Sequence, residues 1–406
     1  MRFCLTRVLR PGGFLALLAL SASAATVDVR DFGATGTGER DDAPAIQRAL
    51  DVTARPLVVR IPRGSYRVGR TLFVSGGTRI EAEREARLFV CERTPHREGD
   101  YLLTNVGSTN GTADADIAIV GGVWDGNSRR GTNVKPSNIL QNVGWSGVLL
   151  NFRRVNGLTL RDLECANSVT YNVRMCEVDG FSILGLRFSA RERGWNQDGI
   201  HLNGYCLNGT VEDVRAVTRG QTADDLLAFN ADDSMARIEN RGMVCGPISN
   251  VVCRNVFAAD CHSAIRFLSV RSPIRDIRIE NVTAGCRCNA INADAARYCL
   301  TPLFEEADVP FGVGDIRNVT VSNFTFWATT AEPRPLVALE TNVRGLTMPG
   351  LRRDAARDRG RERPFLRLRN CAAATVGVDG AVRTVPPRGE LILSETPEKL
   401  DCEMRK

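Results

Sequence analysis

Two short acidic motifs carry the residue types in this chain that are best suited to chemistry. The first is Asn196-Gln197-Asp198, and the second begins with Asp224-Asp225. If the segments that contain them stack as neighbouring strands, all three carboxylates fall on one face. Because close carboxylates repel one another, a chain retains such a cluster more readily for catalysis or for a cation than for stability. Two carboxyl groups with a water molecule between them are the working parts of an inverting glycosidase.

The segments around these motifs belong to a repeating pattern. Each repeat has an Asn, Asp or Gly turn, then alternating aliphatic residues, then a second turn. The repeats lie at residues 156–163, 179–186, 208–214, 249–256, 275–282 and 317–324. Alternation with a period of two indicates strands, and strands recurring roughly every 23 to 29 residues indicate a solenoid rather than a propeller, whose blade motifs are absent. We therefore predict an all-β fold, a right-handed parallel β-helix whose coils stack to bury a shared core.

One amphipathic segment near the start predicts a helix instead of a strand. Asp41 and Asp42 are suited to cap it, Pro44 fits its first turn, and Ile46 and Leu50 share an apolar face. The open end of a solenoid exposes unpaired strand edges and core. We therefore expect this helix to cap the N-terminal end of the β-helix.

The first 25 residues have the pattern of a signal peptide. Arg2, Arg7 and Arg10 form a positive segment, residues 13–20 are apolar, and residues 21–25 are small. The apolar run is too short to span a bilayer. This pattern predicts export, with a secreted or periplasmic mature protein that has no membrane association after cleavage of the signal.

The remaining residues, 26–406, are expected to form one β-helix domain because the repeats continue through most of them. The formal net charge is +6, and it falls to about +3 once the signal is removed. No basic block with interleaved aromatic residues is present, so a nucleic-acid partner is not expected. The basic run from Arg352 to Arg363 is interpreted as a solvated loop, and the protein is expected to be a monomer.

Cysteine is abundant, with thirteen residues in the chain. Cys4 lies in the predicted signal, and the others fit an oxidising compartment in which some disulfides form. Cys286, Cys288 and Cys299 lie close together in sequence, but no second cysteine pair or histidine stands at zinc-ligand spacing. We therefore favour disulfides or buried thiols over zinc, and we predict no metal and no cofactor.

Five Asn-x-Thr triplets are possible glycosylation sites. Several of them fall at turns between repeats, where Asn is favoured for its backbone conformation. We therefore prefer a structural interpretation of these residues: Asn110, Asn208, Asn281, Asn318 and Asn323.

The start of the mature chain resembles a known superfamily. Residues 27–34 and 41–46 are similar to the N-terminal segment of pectate-lyase-like β-helix proteins. Hydrolases, lyases, epimerase-like proteins and phage tailspikes share that segment. The resemblance therefore implies the fold and leaves the reaction open.

The acidic motifs are more specific, because they resemble those of glycoside hydrolase family 28, the polygalacturonases and rhamnogalacturonases. Residues 196–198 match that family's Asn-x-Asp, and residues 224–228 are similar to its Asp-Asp-Cys-Ile-Ala. Residues 260–263, with His262, stand where the family has Gly-His-Gly. The family's next motif, Arg-Ile-Lys, is replaced by residues 289–294, in which Asn289 and Asn292 are the polar side chains before Asp294. Arg266 and Arg297 are possible substitutes at other positions.

The resemblance implies an inverting hydrolysis of a polysaccharide substrate. Asp224 would be the general acid, while Asp198 and Asp225 would stay ionised, raise the pKa of Asp224 and activate the water. His262 would orient the acid or bind a hydroxyl group. The implied substrate contacts are Asn196 as a hydrogen-bond donor, Trp195 as a stacking face or a buried wall residue, and Arg266. His201 is as readily an outward structural residue as a ligand.

Two other functions remain open from the sequence. A polysaccharide lyase would hold Ca²⁺ with the aspartates and use Arg266 to abstract a proton. A non-catalytic carbohydrate-binding β-helix would keep the groove without the acid. A lyase would require calcium and produce an unsaturated end, whereas a binding protein would release no reducing ends.

Overall fold

The structure is a computed structural model that describes residues 23–91, 101–129, 147–232, 243–295, 313–369 and 372–405. Most of the predicted signal peptide lies outside the described residues. Arg297 and Cys299 also lie outside them.

The described residues form 28 strands and three short helical segments. The first ten strands are β1 (Ala25–Asp28), β2 (Thr37–Asp41), β3 (Leu57–Ile61), β4 (Gly64–Val68), β5 (Leu72–Val74), β6 (Thr78–Ala82), β7 (Ala86–Val90), β8 (Leu103–Asn105), β9 (Asp114–Val120) and β10 (Val123–Asp125). The next ten are β11 (Leu150–Arg161), β12 (Glu164–Ala166), β13 (Val173–Leu184), β14 (Arg187–Ser189), β15 (Ile200–Leu202), β16 (Cys206–Ala216), β17 (Asp225–Asn230), β18 (Ile248–Leu268), β19 (Ile274–Ala293) and β20 (Ile316–Ala328). The last eight are β21 (Val337–Leu339), β22 (Val343–Thr347), β23 (Arg352–Arg353), β24 (Leu366–Arg369), β25 (Ala373–Val378), β26 (Ala381–Val385), β27 (Glu390–Leu393) and β28 (Leu400–Arg405). The helical segments are a 3₁₀ turn at Val29–Phe32, α1 at Ala43–Leu50 and α2 at Gly107–Asn110.

Successive coils pair through parallel strands, which confirms the predicted β-helix. Strands β11, β13, β16, β18, β19 and β20 form one continuous parallel face. A second face is formed by β8, β11, β13, β15, β17, β18, β19, β21 and β24. Along this second face one buried aliphatic residue of each coil pairs with its counterpart in the next: Leu103, Leu150, Val173, Ile200, Leu227, Ile265, Ile291, Val337 and Leu366.

The turns that punctuate the repeats are held by a ladder of polar side chains. Asn255, Asn281 and Asn323 all adopt a left-handed backbone, with φ of 58°, 59° and 53°. Asn tolerates this conformation better than most residues because its side chain can satisfy local hydrogen bonds. The Asn281 amide donates to Asn255 Oδ1 at 3.3 Å, and the Asn323 amide donates to Asn281 Oδ1 at 3.3 Å. These contacts support the structural interpretation of the Asn triplets in the coils.

The interior of the solenoid, which we call the lumen, is apolar and includes several cysteines. Cys261 and Cys286 face each other there with their Sγ atoms 3.9 Å apart, which is too far for a disulfide bond. Other buried cysteines of the described residues are also free thiols, so they do not form the expected disulfides. Together with this pair they are Cys165, Cys176, Cys206, Cys253, Cys261, Cys286, Cys288 and Cys402. Most of these thiols pack as small apolar groups between coils.

The predicted helix near the start is present as α1, and its apolar face is buried against the first coils. Asp42 occupies the N-cap position, but its side chain makes no capping hydrogen bond. Its carboxylate instead accepts from the backbone N–H groups of Thr35 at 2.7 Å and Gly36 at 3.1 Å. The role of α1 as a cap of the solenoid end stays a prediction.

The C-terminal end departs from the expected uniform solenoid. Strand β28 pairs antiparallel with β22 and β25, β27 pairs antiparallel with β24, and β25 and β26 form an antiparallel pair. These strands continue the sheet from β22 and β24 by antiparallel pairing. Within the part of the chain that the structure describes, no helix is long and apolar enough to cross a membrane.

The basic run from Arg352 to Arg363 was expected to be solvated, and this is wrong for its last residue. Arg363 is only 2% exposed, and it donates from Nε to the Arg334 carbonyl at 2.7 Å and from Nη1 to the Arg287 carbonyl at 3.1 Å. Arg353 is also held, by Asp358 and by backbone carbonyls. Arg363 therefore holds the backbone of Arg287 and Arg334, which line the groove described next.

Candidate active site

The two acidic motifs and His262 meet in one groove because three strands of the second face stack in register. Ile200 pairs with Leu227, which in turn pairs with Ile265. A backbone hydrogen bond of 2.9 Å from Gly199 to the Asp225 carbonyl ties the segment after Asp198 to the second motif. The resulting cavity has a volume of about 690 Å³.

We refer to six polar side chains from or next to strands β15, β17, β18 and β19 as the groove floor. All of them line the cavity: Asp198, His201, Asp225, Asn230, Arg266 and Asn292. Asp224 and His262 line the same cavity and are more accessible than Asp198 and Asp225.

Asp198 is almost fully buried and is held by a histidine that the sequence left open. His201 Nδ1 lies 2.6 Å from Asp198 Oδ2. Burial, followed by the charges of Asp224 and Asp225, raises the pKa of Asp198 well above its usual value.

His201 is buried and lines the cavity, so it does not face outward. Burial, with a smaller contribution from Arg174, lowers the pKa of His201 to about 3, so the ring is neutral. Its ring stacks on Tyr171 at 4.2 Å between centroids. The amide nitrogens of Asn203 and Asn230 lie 3.4 and 3.5 Å from Nε2. Nε2 therefore accepts, which leaves Nδ1 to donate its proton to Asp198.

Asp224 is paired with His262 in the groove. His262 Nδ1 lies 3.2 Å from Asp224 Oδ1, and the Asn196 amide donates to Asp224 Oδ2 at 3.3 Å. Burial alone would raise the pKa of Asp224, but the hydrogen bond and charge of His262, with the charge of Arg266, lower it. Burial likewise opposes the charged form of His262, yet its bond to Asp224 and the nearby acids raise its pKa to about 10.

Asp225 lies beside Arg266, whose Nε is 3.7 Å from Asp225 Oδ2. Burial and then the charge of Asp224 raise the pKa of Asp225 to about 7. Arg266 Nη2 also lies 3.0 Å from Asp294 Oδ1, one coil further on. Asp294 was not singled out in the sequence, and only the register of β18 and β19 shows that it reaches Arg266.

The order of the carboxyl pKa values differs from the expectation. Asp198 and Asp225 were expected to stay ionised and to raise the pKa of Asp224. Instead the two more buried acids have raised pKa values, and Asp224 has a lowered one. The physical reason is that His262 pairs with Asp224, whereas desolvation dominates at the other two positions.

Trp195 is 82% exposed and lines the groove, so it is not a buried wall residue. Its ring is available to a sugar, and Arg193 and Arg334 are exposed beside it at the rim. Sugar rings stack on such aromatic faces because each presents an apolar surface to the other.

Ligand atoms of Asp224, Asp225 and His262 lie within 4.8 Å of one another, a spacing that can hold a metal ion. However, only Asp224 and Asp225 offer oxygen ligands there, since His262 would bind a metal through a ring nitrogen. Arg266 also places a positive charge next to Asp225. The residues present therefore fit a proton-transfer site better than a calcium site, which needs six to eight oxygen ligands.

Comparisons with known proteins agree with this fold. A family model described as rhamnogalacturonase A/epimerase, pectate lyase-like, matches residues 26–122. A probable polygalacturonase from Arabidopsis thaliana is 27% identical over 242 residues, which cover 57% of this chain and 48% of that protein. The chain thus spans about half the length of this relative.

Two solved structures share the architecture over most of both chains. An exopolygalacturonase from Thermotoga maritima aligns with a TM-score of 0.53 at 14% identity, covering 91% of this chain and 95% of that one. The surface adhesin PfbA of Streptococcus pneumoniae aligns with a TM-score of 0.51 at 12% identity, covering 92% and 99%. At these identities the alignments show the fold alone. The family model, the polygalacturonase relative and the shared fold together support the resemblance seen in the motifs, which is to glycoside hydrolase family 28 within the pectate-lyase-like β-helix superfamily.

Proposed function

We propose that this protein is a secreted glycoside hydrolase that cleaves a pectin-like polysaccharide by an inverting, two-carboxylate mechanism. The observation that carries the proposal is the convergence of Asp198, Asp224, Asp225 and His262 in one groove. A cluster in which neighbouring carboxyl groups have pKa values pushed apart is typical of acid–base catalysis. The polygalacturonase relative supports the same reaction class.

In this mechanism Asp224 is the general acid. At neutral pH the Asp224–His262 pair holds one proton, which the pKa directions place on His262 in the resting site. Because the two groups are 3.2 Å apart, that proton can move to Asp224 as charge develops on the leaving glycosidic oxygen. His262 thereby supplies the proton that Asp224 delivers to the leaving glycosidic oxygen.

We assign activation of the water jointly to Asp198 and Asp225. Burial raises the pKa of both carboxyl groups and their titrations are coupled, so the water is activated by whichever of the two is ionised. An inverting site holds this water between carboxyl groups about 6.5–9.5 Å apart.

Three further residues would contact the sugar. Asn196 would donate from the groove wall next to Asp224, and Trp195 would stack on a ring at the rim. Arg266 would act through its charge on the floor, between Asp225 and Asp294. The mechanism needs no metal or other cofactor. We further propose that the protein is exported, that it acts as a monomer and that it has no nucleic-acid partner.

A non-catalytic carbohydrate-binding role is the second candidate. The fold likeness to the PfbA adhesin, with a TM-score of 0.51 against 0.53 for the exopolygalacturonase, favours it. Such a protein would bind a glycan in the same groove and leave it intact.

The test is reducing-end release from a panel of pectic and neutral polysaccharides, with and without a chelator. We expect release that resists the chelator, that inverts the anomeric configuration by NMR, and that is lost in Asp224→Asn. Asp179→Asn, at a coil turn outside the groove, is the matched control and should keep full activity. Chelator-sensitive release with ultraviolet absorbance would make the protein a lyase, and binding without release would make it a carbohydrate-binding protein.

A further inference from the structure

One cysteine lines the groove and has no part in the mechanism above. Cys288 is 2% exposed, and it is among the residues that line the cavity. From the sequence, Cys288 and Cys286 were expected to be disulfides or buried thiols. Cys286 lies in the lumen and does not line the cavity. Cys288 instead belongs to a polar site, where a thiol needs polar partners.

The Cys288 sulfur has three hydrogen-bond partners. Arg334 Nη1 donates to Sγ at 3.1 Å. The thiol donates to Asn289 Oδ1 at 3.1 Å, and the Asn289 amide is oriented for this because its nitrogen donates to the Pro335 carbonyl at 2.7 Å. The third partner is the His262 ring, which shares a hydrogen bond with the thiol. A thiol has one proton, so the sulfur that donates to Asn289 accepts from Arg334 and His262.

The sulfur therefore serves as a second acceptor for the His262 ring. A protonated imidazole donates from both ring nitrogens. Asp224 Oδ1 lies 3.2 Å from Nδ1, and Ser263 Oγ lies 3.3 Å from the same nitrogen, so we assign the sulfur to Nε2. When Nδ1 gives its proton to Asp224, the neutral ring keeps its other proton on Nε2, where Cys288 accepts it. An acceptor at one ring nitrogen thus fixes which nitrogen carries the transferable proton.

The backbone on both sides of this contact is held by one buried arginine. Arg363 donates to the Arg287 carbonyl at 3.1 Å, to the Arg334 carbonyl at 2.7 Å and to the Cys288 carbonyl. It thereby ties the strand that carries Cys288 to the segment that carries Arg334. Burying a guanidinium is costly unless its donors are satisfied, and here they fix the two residues that meet at the sulfur.

We propose that Cys288 is a positioning residue of the groove: its sulfur, anchored by Arg334, is the second acceptor of the His262 ring and directs the Nδ1 proton at Asp224. In this role Cys288 acts through His262 and not on the sugar. The inference rests on the proposed function, because it is in that mechanism that His262 supplies the proton of the acid.

The other charged groups around His262 stay in place when Cys288 is replaced. Besides Asp224, they come from the preceding coil, from β17, β18 and β19, and from residues 332–334: Asp198, Asp225, Arg266, Arg287, Glu332 and Arg334. The hydrogen bond from Cys288 favours the protonated ring, and an ionised sulfur would favour it more. Loss of Cys288 therefore lowers the pKa of His262.

The experiment is an NMR titration of the His262 ring in protein labelled with ¹³C-histidine. The chain has three histidines, so the variant His262→Gln assigns the signal. In the wild type we expect a pKa of about 10 for His262. In Cys288→Ala the titration midpoint should fall by about one pH unit, because the ring loses an acceptor. Cys288→Ser keeps an acceptor and should lie between the two.

Two further variants separate the hydrogen bond from packing. Cys288→Val fills the space of the thiol without an acceptor, so it should shift the midpoint as Cys288→Ala does, and it carries the test if the alanine variant does not fold. Cys286→Ala removes a buried cysteine of the same strand outside the groove, and it should leave the midpoint unchanged. An unchanged midpoint in the Cys288 variants, or an equal fall in Cys286→Ala, would overturn the inference.

Activity gives a second readout and separates this inference from the proposed function. Cys288→Ala should lower kcat by about tenfold with KM unchanged, and the alkaline limb of its pH profile should move with the NMR midpoint. Release of reducing ends with an alkaline limb that does not move would support the hydrolase and overturn the role of Cys288. A lowered midpoint without release from any polysaccharide would support the anchoring of His262 and remove the hydrolase.

Discussion

The lumen of the solenoid and the groove floor are both buried, but they are built from opposite chemistry. In the lumen, aromatic side chains pack against each other within a coil, as Phe324 and Phe326 do, and between coils, as Phe229 and Phe267 do. On the floor, buried carboxyl and amide oxygens lack partners, and the pKa values of Asp198 and Asp225 are raised. The lumen contributes stability. The floor instead keeps buried polar atoms without hydrogen-bond partners, which costs stability and which a bound ligand would reduce.

The largest expected effect comes from removing a floor carboxylate that the proposal assigns to catalysis. Asp198→Asn should lower kcat by about 10²–10⁴-fold, because general-base assistance is lost while the side-chain volume is kept. The measurement is initial-rate kinetics on whichever polysaccharide the wild type cleaves, with circular dichroism as a check of folding. A loss of less than tenfold would remove Asp198 from the mechanism.

A lumen substitution should have the opposite profile. Phe324→Ala removes a fully buried ring that packs edge-on against Phe326 at 5.2 Å. It should reduce the free energy of unfolding by about 3–5 kcal/mol, measured by chemical denaturation. Activity should be unchanged below the unfolding transition, since Phe324 does not line the groove.

The matched control for this variant is Val382→Ala. Val382 is an apolar residue that is largely exposed on the C-terminal hairpin, so its truncation should change stability by less than about 0.5 kcal/mol. Equal losses in the two variants would contradict the assignment of the lumen as the main source of stability.

The coils were predictable because their signals are local. Alternating aliphatic residues and turn residues such as Asn255 and Asn281 set both the strand and the left-handed turn, and these repeat along the chain. The C-terminal strand β25 alternates in the same way, and alternation alone does not distinguish parallel from antiparallel pairing. The Asp379-Gly380 turn is a local signal for the hairpin of β25 and β26. The antiparallel pairing of β28 with β22 and of β27 with β24 depends instead on contacts that no local pattern encodes.

The floor was predictable only in part. Asp198, Asp224 and Asp225 were found because their motifs are compact in sequence. His201 and Asp294 were not assigned, since their contacts depend on strand register and on loop lengths between coils. The order of the carboxyl pKa values also required the structure, because burial and pairing with His262 act in opposite directions.

Asp225 offers a smaller effect that separates function from stability. Its carboxyl ionises near pH 3.8 when unfolded and near pH 7 when folded. A raised pKa means that ionisation opposes folding, so the penalty is absent below about pH 3.8 and complete above about pH 7. Asp225→Asn should therefore raise the free energy of unfolding by about 1–3 kcal/mol at pH 8 and leave it unchanged at pH 3.5.

Denaturation curves at the two pH values provide the measurement. Asp224→Asn is the comparison variant, because its pKa is lowered in the folded state and its loss should reduce stability at pH 8. Destabilisation by Asp225→Asn at pH 8 would show that the floor is not held in an unfavourable ionisation state.

The smallest expected effect tests a third environment, the polar ladder at the coil turns. Asn281 is polar like the floor, but its side chain donates to Asn255 and accepts from Asn323. Asn281→Ala should lower the free energy of unfolding by about 1 kcal/mol, since the variant loses both contacts and must hold a left-handed backbone. Asn281→Gly loses the contacts but adopts that backbone freely, so it should lose less. If the glycine variant loses as much as the alanine variant, the hydrogen bonds and not the backbone hold the turn. Neither variant should change activity, because the polar side chains of the ladder, unlike those of the floor, are hydrogen-bonded to one another and lie outside the groove.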